Sequence, residues 1–424
     1  MALSAQALEF RKAIARQLIE SHIDDLDRMM EVDQAALESA ELTALPEPIA
    51  FPEGLAPIPQ PINPKPHEEA PLPEADILIV TWTVAEQSGL ADVMTPGYSR
   101  HQWYRYRRNF EDHYLPLIRT AEQDRRDPPS RQNNRLGSWF ISTVGDLKVV
   151  CFKSELHLNQ DGIWLNEDGT QANRKTGYAT LPVKDMFEQL IAEVKPSHVL
   201  TTGTSGAVYL NHNLGDVVIT RGAKFRLTDE FTREPYNGLN IEGAQYKSVW
   251  DVPNTYFQKA EELMGGFKHH LKEPIFTTPT KRFTPNTEPT TPWPNDPAIR
   301  MDGTGELPEF HPIISTDFFE FGTSANNMEA LGSAVEMGDA VLGLVCEEMD
   351  NPPKWLVLRN ISDPQINADL PNHPRELNMQ VHWAVWYYEV FGYWTSINGA
   401  LATWAVIAGL QSQGENHEQI ETSN

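Results

Sequence analysis

The residues best placed to do chemistry sit where an apolar run stops. Trp355–Leu358 reads as a buried strand, and Arg359, Asn360, Ser362 and Asp363 follow it directly, closed by Pro364. Polar groups at the carboxyl end of a buried parallel strand are costly unless something uses them, and that edge is where open α/β sheets bind ligands. Ser-Asp-Pro is also a common turn, so Asp363 has a plain structural use beside a chemical one. A second acid, Glu86, comes shortly after the apolar ILIV of 77–80, at a place where a helix start would also favour it. Gly203-Thr204-Ser205-Gly206 reads as a turn whose backbone N–H groups and two hydroxyls suit an anion. Nine arginines gather in 100–135 of an otherwise acidic chain. Arg100 and Arg105, near its start, are candidates for a phosphate group, because guanidinium forks match phosphate oxygens. Pairing with Glu111, Asp112, Asp127 and the acidic amino-terminal segment is the alternative, and the preferred one.

Other chemistries lack their residues. No Cys/His pair has metal-ligand spacing, and neither H-E-x-x-H nor G-x-x-x-x-G-K-[ST] occurs. The GTSGA stretch ends in Ala207 and misses the nucleophile elbow. His269–His270 reads as a surface pair. No metal and no cofactor are expected.

The elements that must position these groups follow from pattern and composition. The chain has 424 residues, 40% of them hydrophobic, enough for one large α/β domain with extensions. A formal net charge of −25 excludes a general nucleic-acid or membrane-surface binder, even though Trp103, Tyr104 and Tyr106 stand among the arginines. Two cysteines in apolar contexts, Cys151 and Cys346, and a start without an apolar signal core point to a reducing, cytoplasmic setting. The run 383–410 carries only Glu389 as a charge, but Tyr393, Thr395, Ser396 and Asn398 break it midway. It reads as a buried terminal helix rather than a membrane span.

Residues 1–45 have helical apolar spacing and form an amino-terminal extension able to engage a protein partner. Residues 46–74 form a proline-rich linker or strap. The domain proper covers 75–412, with an insertion at 266–310 rich in Pro and Thr, and 413–424 is an unstructured tail. Within the domain, strand-like ADILIVTW, KVVCFKS, HVLTT, GDVVIT and KWLVL alternate with helix-like stretches at 181–199 and 329–349. This predicts a mixed, mostly parallel central sheet flanked by helices, with the polar ends at 81–88, 201–206 and 359–363 on one rim.

Five segments in order, ILIVTWTVAEQSGL, VVCFKSELH, VLTTGTSGAVYLNHNLGDVVI, IISTDFFEFG and AVEMGDAVLGLVCEE…LVLRNISD, resemble the nucleoside phosphorylase/nucleosidase superfamily. The likeness is strongest to 5′-methylthioadenosine/S-adenosylhomocysteine nucleosidases and covers about 75–365. It implies cleavage of a purine N-glycosidic bond through an oxocarbenium-like sugar. By that resemblance Asp363, after Ser362, is the general acid for the leaving purine, and Glu86 is the base that activates water. Thr204, Ser205 and Gly206 hold the sugar and water, Phe319 stacks on the purine, and Met337 packs under the sugar. The family pattern reads V-E/D-M-E, and its second acid holds the ribose hydroxyls. This chain has Gly338 there, leaving Glu336 or Asp339 to take over, the sugar to be held differently, or activity to be lost. The resemblance also implies a homodimer and a purine nucleoside or nucleotide as ligand. It leaves water or phosphate as the attacking group, and catalysis or mere nucleotide sensing, open.

Overall fold

The computed structural model describes residues 45–118, 128–158, 182–226, 245–271, 296–316, 320–366, 368 and 379–421, with some side chains of the last segment left aside. The amino-terminal segment 1–44, most of the Pro/Thr-rich insertion and Phe319 lie outside the described residues.

Thirteen strands form one mixed sheet among these residues. They are β1 (Ile58–Pro59), β2 (Ile77–Thr81), β3 (Tyr104–Tyr106), β4 (Gly137–Val144), β5 (Leu147–Ser154), β6 (His198–Ala207) and β7 (Val217–Thr220). The rest are β8 (Gly222–Arg226), β9 (Gln245–Lys247), β10 (Ile299–Met301), β11 (Ile313–Thr316), β12 (Ala334–Glu336) and β13 (Lys354–Asp363). The centre is parallel: β5 pairs with β2, β2 with β6, and β6 with β13. Antiparallel ladders surround it, including β4 on β5, β7 on β13 and the far end of β6 on β12. Every residue of β2 is buried, as its unbroken ILIVT run demands of a strand covered on both faces.

The principal helices are α1 (Val84–Met94), α2 (Val183–Val194), α3 (Gln258–Gly265), α4 (Asp339–Glu348) and α5 (Met379–Glu421). In α2 the buried residues Met186, Phe187, Leu190 and Ile191 are the apolar face read from spacing, and the helix ends at Lys195 just before Pro196. The 383–410 run lies inside α5, which packs on α1, β13 and β6 and buries Ile397, Leu401 and Trp404. Among the described residues no helix is long and apolar enough to cross a membrane. The same helix continues through 413–421, where the sequence pattern suggests an unstructured tail. The proline-rich strap pairs with the sheet edge through β1, and Trp404 Nε1 donates to Leu55 O at 2.7 Å.

Three local expectations change. TGTSGA is not a turn: β6 runs unbroken to Ala207, so its glycines serve clearance rather than chain reversal. The stretch 329–349 is not one helix, because Ala334–Glu336 is a strand held between β11 and β6, with a short 3-10 turn at Met328–Ala330 before it and the α-helix Asp339–Glu348 after it. Ser362 and Asp363 are the last residues of β13, not a turn or a helix cap.

Candidate active site

The carboxyl ends of β2, β6 and β13 meet on one rim with the end of β12, as the parallel centre requires. A cleft opens there, with about 740 Å³ not filled by atoms, open solvent at its mouth included. Glu86, Thr204, Ser205, Gly206, Glu336 and Met337 line it, and so do Ser362 and Asp363. Residues predicted from four separate parts of the chain thus share one cavity.

Glu86 gets its place from the start of α1. Thr83 caps the helix and its hydroxyl accepts from Glu86 N at 3.3 Å, while the Glu86 carboxylate reaches back to Thr83 N at 2.9 Å, a capping box. The same oxygen accepts from Trp82 N (2.8 Å) and Thr81 Oγ1 (2.9 Å). Its other oxygen takes Thr204 N (2.8 Å) and Thr204 Oγ1 (2.7 Å) across on β6. Burial pushes this carboxyl up, but Arg359 and the bonds from Thr204 and Thr83 outweigh it, so its pKa lies below the ordinary value. Glu86 is a fixed anion.

Asp363 is the opposite case. Its side chain lies over Gly206, where a Cβ would stand 2.8 Å from Oδ2, and Ser362 Oγ donates to its Oδ1 at 3.0 Å. Burial pushes its pKa from 3.8 up to about 7, and the Ser362 bond offsets little of that. Glu86 leans on Gly203 and Thr204, Asp363 on Gly206. Positions two to three apart on a strand are separated by about 7–10 Å. That spacing leaves room between an acid and an anion for a sugar and a water.

Arg359 is the functional residue that sequence reasoning passed over. It was visible only as one polar residue after WLVL, and nothing local marks it. Parallel pairing of β13 with β6 sets it opposite Gly203, where a Cβ would come within 2.5 Å of Arg359 Nη1 and 2.7 Å of the Glu86 carboxyl. Its Nε and Nη2 clamp Asp339 at 2.7 and 2.6 Å, and Nη2 lies 3.2 Å from Glu336. The guanidinium rests 4.6 Å above the Trp82 ring. Burial alone would weaken its hold on the proton, but Asp339 and Glu336 keep it charged. Glu336 accepts from Ser315 Oγ and from Asp339 N at 3.0 Å. Burial and the neighbouring Asp339 charge push its pKa up to about 8. Trp82, Thr83, His157, Glu320 and Tyr388 also line the cleft without having been singled out.

Three expected site residues stand elsewhere. Asp339 is fully buried behind Arg359 and does not line the cleft, because its carboxylate is the guanidinium's counter-ion. Arg105 pairs with Glu68 at 3.2 Å and donates to Asn133 O at 2.9 Å, and Arg100 lies in a short helical turn, both away from the cleft. Arg107 and Arg108 likewise find Glu111 and Glu193. Among the described residues Arg105, Arg107, Arg108 and Arg135 pair with acids of the chain, but of the partners expected for the stretch only Glu111 is among them, and the amino-terminal segment and Asp127 lie outside the described residues. Cys151 and Cys346 are buried free thiols. Among the described residues no group of His, Cys, Asp and Glu could hold a metal ion.

No family model and no curated protein matches the chain. Solved structures similar to it include futalosine hydrolase of Helicobacter pylori strain 26695, at 12% identity, covering 78% of this chain and 96% of that one, with a TM-score of 0.41. The 5′-methylthioadenosine/S-adenosylhomocysteine nucleosidase from Helicobacter pylori, solved with butyl-thio-DADMe-Immucillin-A, is 11% identical over 79% and 98%, TM-score 0.40. The nucleosidase of that name from Neisseria meningitidis, in complex with methylthio-immucillin-A, is 13% identical over 78% and 99%, TM-score 0.40. Overlap this low leaves the chemistry to be argued from the cleft itself.

Proposed function

We propose that the cleft hydrolyses the N-glycosidic bond of a purine nucleoside, releasing the free base and the sugar. One observation carries the reading: the same cavity holds a carboxyl group kept protonated near neutrality, Asp363, and one kept ionised, Glu86. Breaking this bond needs a proton on the departing heterocycle and negative charge near the sugar as it turns cationic. Asp363 gives the proton to the purine nitrogen facing it, and Glu86 faces the sugar.

Glu86 has a second task. With five hydrogen bonds it has no lone pair free for an incoming water. Thr204 Oγ1 is a rotor, however, and turning it from Oε1 towards the water opens one acceptor site on the carboxylate. Water then gives a proton to that site and bonds to the anomeric carbon on the face away from Asp363, as the C–N bond breaks and the base leaves carrying the Asp363 proton.

Water suits this cleft better than phosphate. Arg359 is the only cation among its described lining residues, and its charge is already met by Asp339 and Glu336, with Nη1 donating to Thr204 O at 3.4 Å. A phosphate would have to enter beside Glu86, Glu336 and Glu320 with no free positive charge to meet it. Incubation with adenosine, methylthioadenosine, AMP and ATP, each with and without phosphate, tests the reading. Free base from a nucleoside in phosphate-free buffer is the expected result; release only with phosphate, as ribose 1-phosphate, would overturn hydrolysis.

A further inference from the structure

The two carboxyl groups leave one end of the cleft unexplained. Asp363 ends β13, whereas Trp82 follows β2 and His157 follows β5, strands on the other side of β6 from β13, and all three residues line the cleft. With the base at Asp363, the sugar faces Trp82 and His157. Trp82 is 4% exposed and His157 3%, yet among the described residues Trp82 Nε1 and His157 Nε2 have no hydrogen-bond partner. Buried polar atoms are nearly always paired, and where they are not, a missing ligand is one physical explanation. An indole N–H can only donate, while an imidazole nitrogen gives or accepts according to tautomer. Burial, with the Lys153 charge adding to it, keeps the His157 ring neutral, its pKa pushed down to about 3.

The acids that would otherwise take sugar hydroxyls are spoken for. Asp339 is clamped by Arg359, and Glu336 accepts from Ser315, Asp339 N and Arg359. Position 338 offers no side chain, and the structure shows what stands there instead. A Cβ on Gly338 would lie 3.3 Å from Trp82 Cζ2, so the indole occupies the room that a longer side chain would use. Arg359 above the ring and the edge of Phe187, 6.4 Å between centroids, hold the indole in place.

We propose that Trp82 and His157 read the hydroxyls of the sugar through uncharged hydrogen bonds, and that the cleft thereby selects nucleosides over nucleotides. This rests on the nucleosidase reading for the direction in which the substrate lies. Trp82 Nε1 donates to one hydroxyl oxygen, and His157 Nε2 pairs with another. A phosphate on the sugar would find no free cation among the described residues there, since Lys153 is bound to Glu155.

Calorimetry with formycin A separates the two ideas, because its base–sugar link is carbon–carbon and cannot be hydrolysed in this way. The parent compound, its 2′-, 3′- and 5′-deoxy forms and its 5′-phosphate are titrated into the full chain and into Trp82→Phe and His157→Phe. In the unaltered protein at least one deoxy form and the 5′-phosphate should bind about 10-fold more weakly than the parent. In one variant, the preference for that hydroxyl should fall below about 3-fold while the deoxy form binds as before. Undiminished preference in both variants, equal binding of the 5′-phosphate, or no binding of any formycin to the unaltered protein would each overturn the proposal. Deletions on the ligand side keep the test valid even if a variant folds poorly. Hydroxyl discrimination without base release from any nucleoside would sink the hydrolase reading and leave the assignment of Trp82 and His157 standing.

Discussion

Replacing Asp363 by Asn should abolish base release and make the protein more stable, and the second effect can be worked from the structure. Buried Asp363 titrates near 7 in the folded chain against 3.8 when unfolded. The unfolded chain therefore gives up this proton more readily, and stability is lost as pH rises from about 4 through 7. The gap amounts to about 4 kcal/mol at about 1.4 kcal/mol per pH unit, an upper figure reached above pH 7. An Asn side chain does not titrate and escapes this cost while keeping the volume. Below pH 4 the two proteins should melt alike; between pH 4 and 7 the variant should pull ahead; by pH 8 it should lead by several degrees. At neutral pH about half of Asp363 carries its proton, whereas an ordinary Asp would carry it in about one molecule in a thousand. Base release should therefore fall about tenfold per pH unit above 7. Melting curves in a pH series, beside a base-release assay, provide both readings. Equal melting temperatures at every pH, together with residual turnover in the variant, would refute the reasoning.

Glu86→Gln should cost about 3–5 kcal/mol in urea unfolding and remove turnover, because it leaves buried Arg359 short of a counter-charge and turns an amide N–H2 towards existing donors. Gly203→Ala puts a methyl group 2.5 Å from Arg359 Nη1, so it should cost about 1–3 kcal/mol and lower kcat more than it raises KM. Arg105→Ala should leave base release unchanged and stability within about 1 kcal/mol, since its partner is the half-exposed Glu68. A loss of activity there would return the arginine-rich stretch to the site.

The rim was legible because it follows from a local rule. Apolar runs that end in polar groups mark the carboxyl ends of parallel strands, and 81–86, 203–206 and 359–363 do converge. What could not be read is whatever depends on register across the sheet. Arg359 matters because it pairs opposite Gly203, a relation between residues 156 positions apart. Asp339 and Glu336 looked interchangeable in the sequence, but one side chain faces the cleft and the other supports Arg359 from behind. The TGTSG stretch misled for a related reason. Its glycines look like chain reversal but make room, one for Arg359 and Glu86, the other for Asp363. Trp82 carried no signal, because its partner is the absence of a side chain at Gly338.

Position along β13 separates Glu86 from Asp363 in protonation. The Arg359 charge helps hold Glu86 ionised, whereas at Glu336 burial and the Asp339 charge outweigh it, and Asp363 is perturbed by burial and by Ser362 alone. Four strand residues separate Arg359 from Asp363, about 13 Å. A cation moved nearer Asp363 would ionise it and take away the proton donor, and a cation moved away from Glu86 would leave burial free to protonate the anion. The clamp by Asp339 prevents both. Its bidentate hold fixes the guanidinium at the Glu86 end of the cleft, so an acid that never lines the cavity helps keep Glu86 ionised while Asp363 stays beyond that charge.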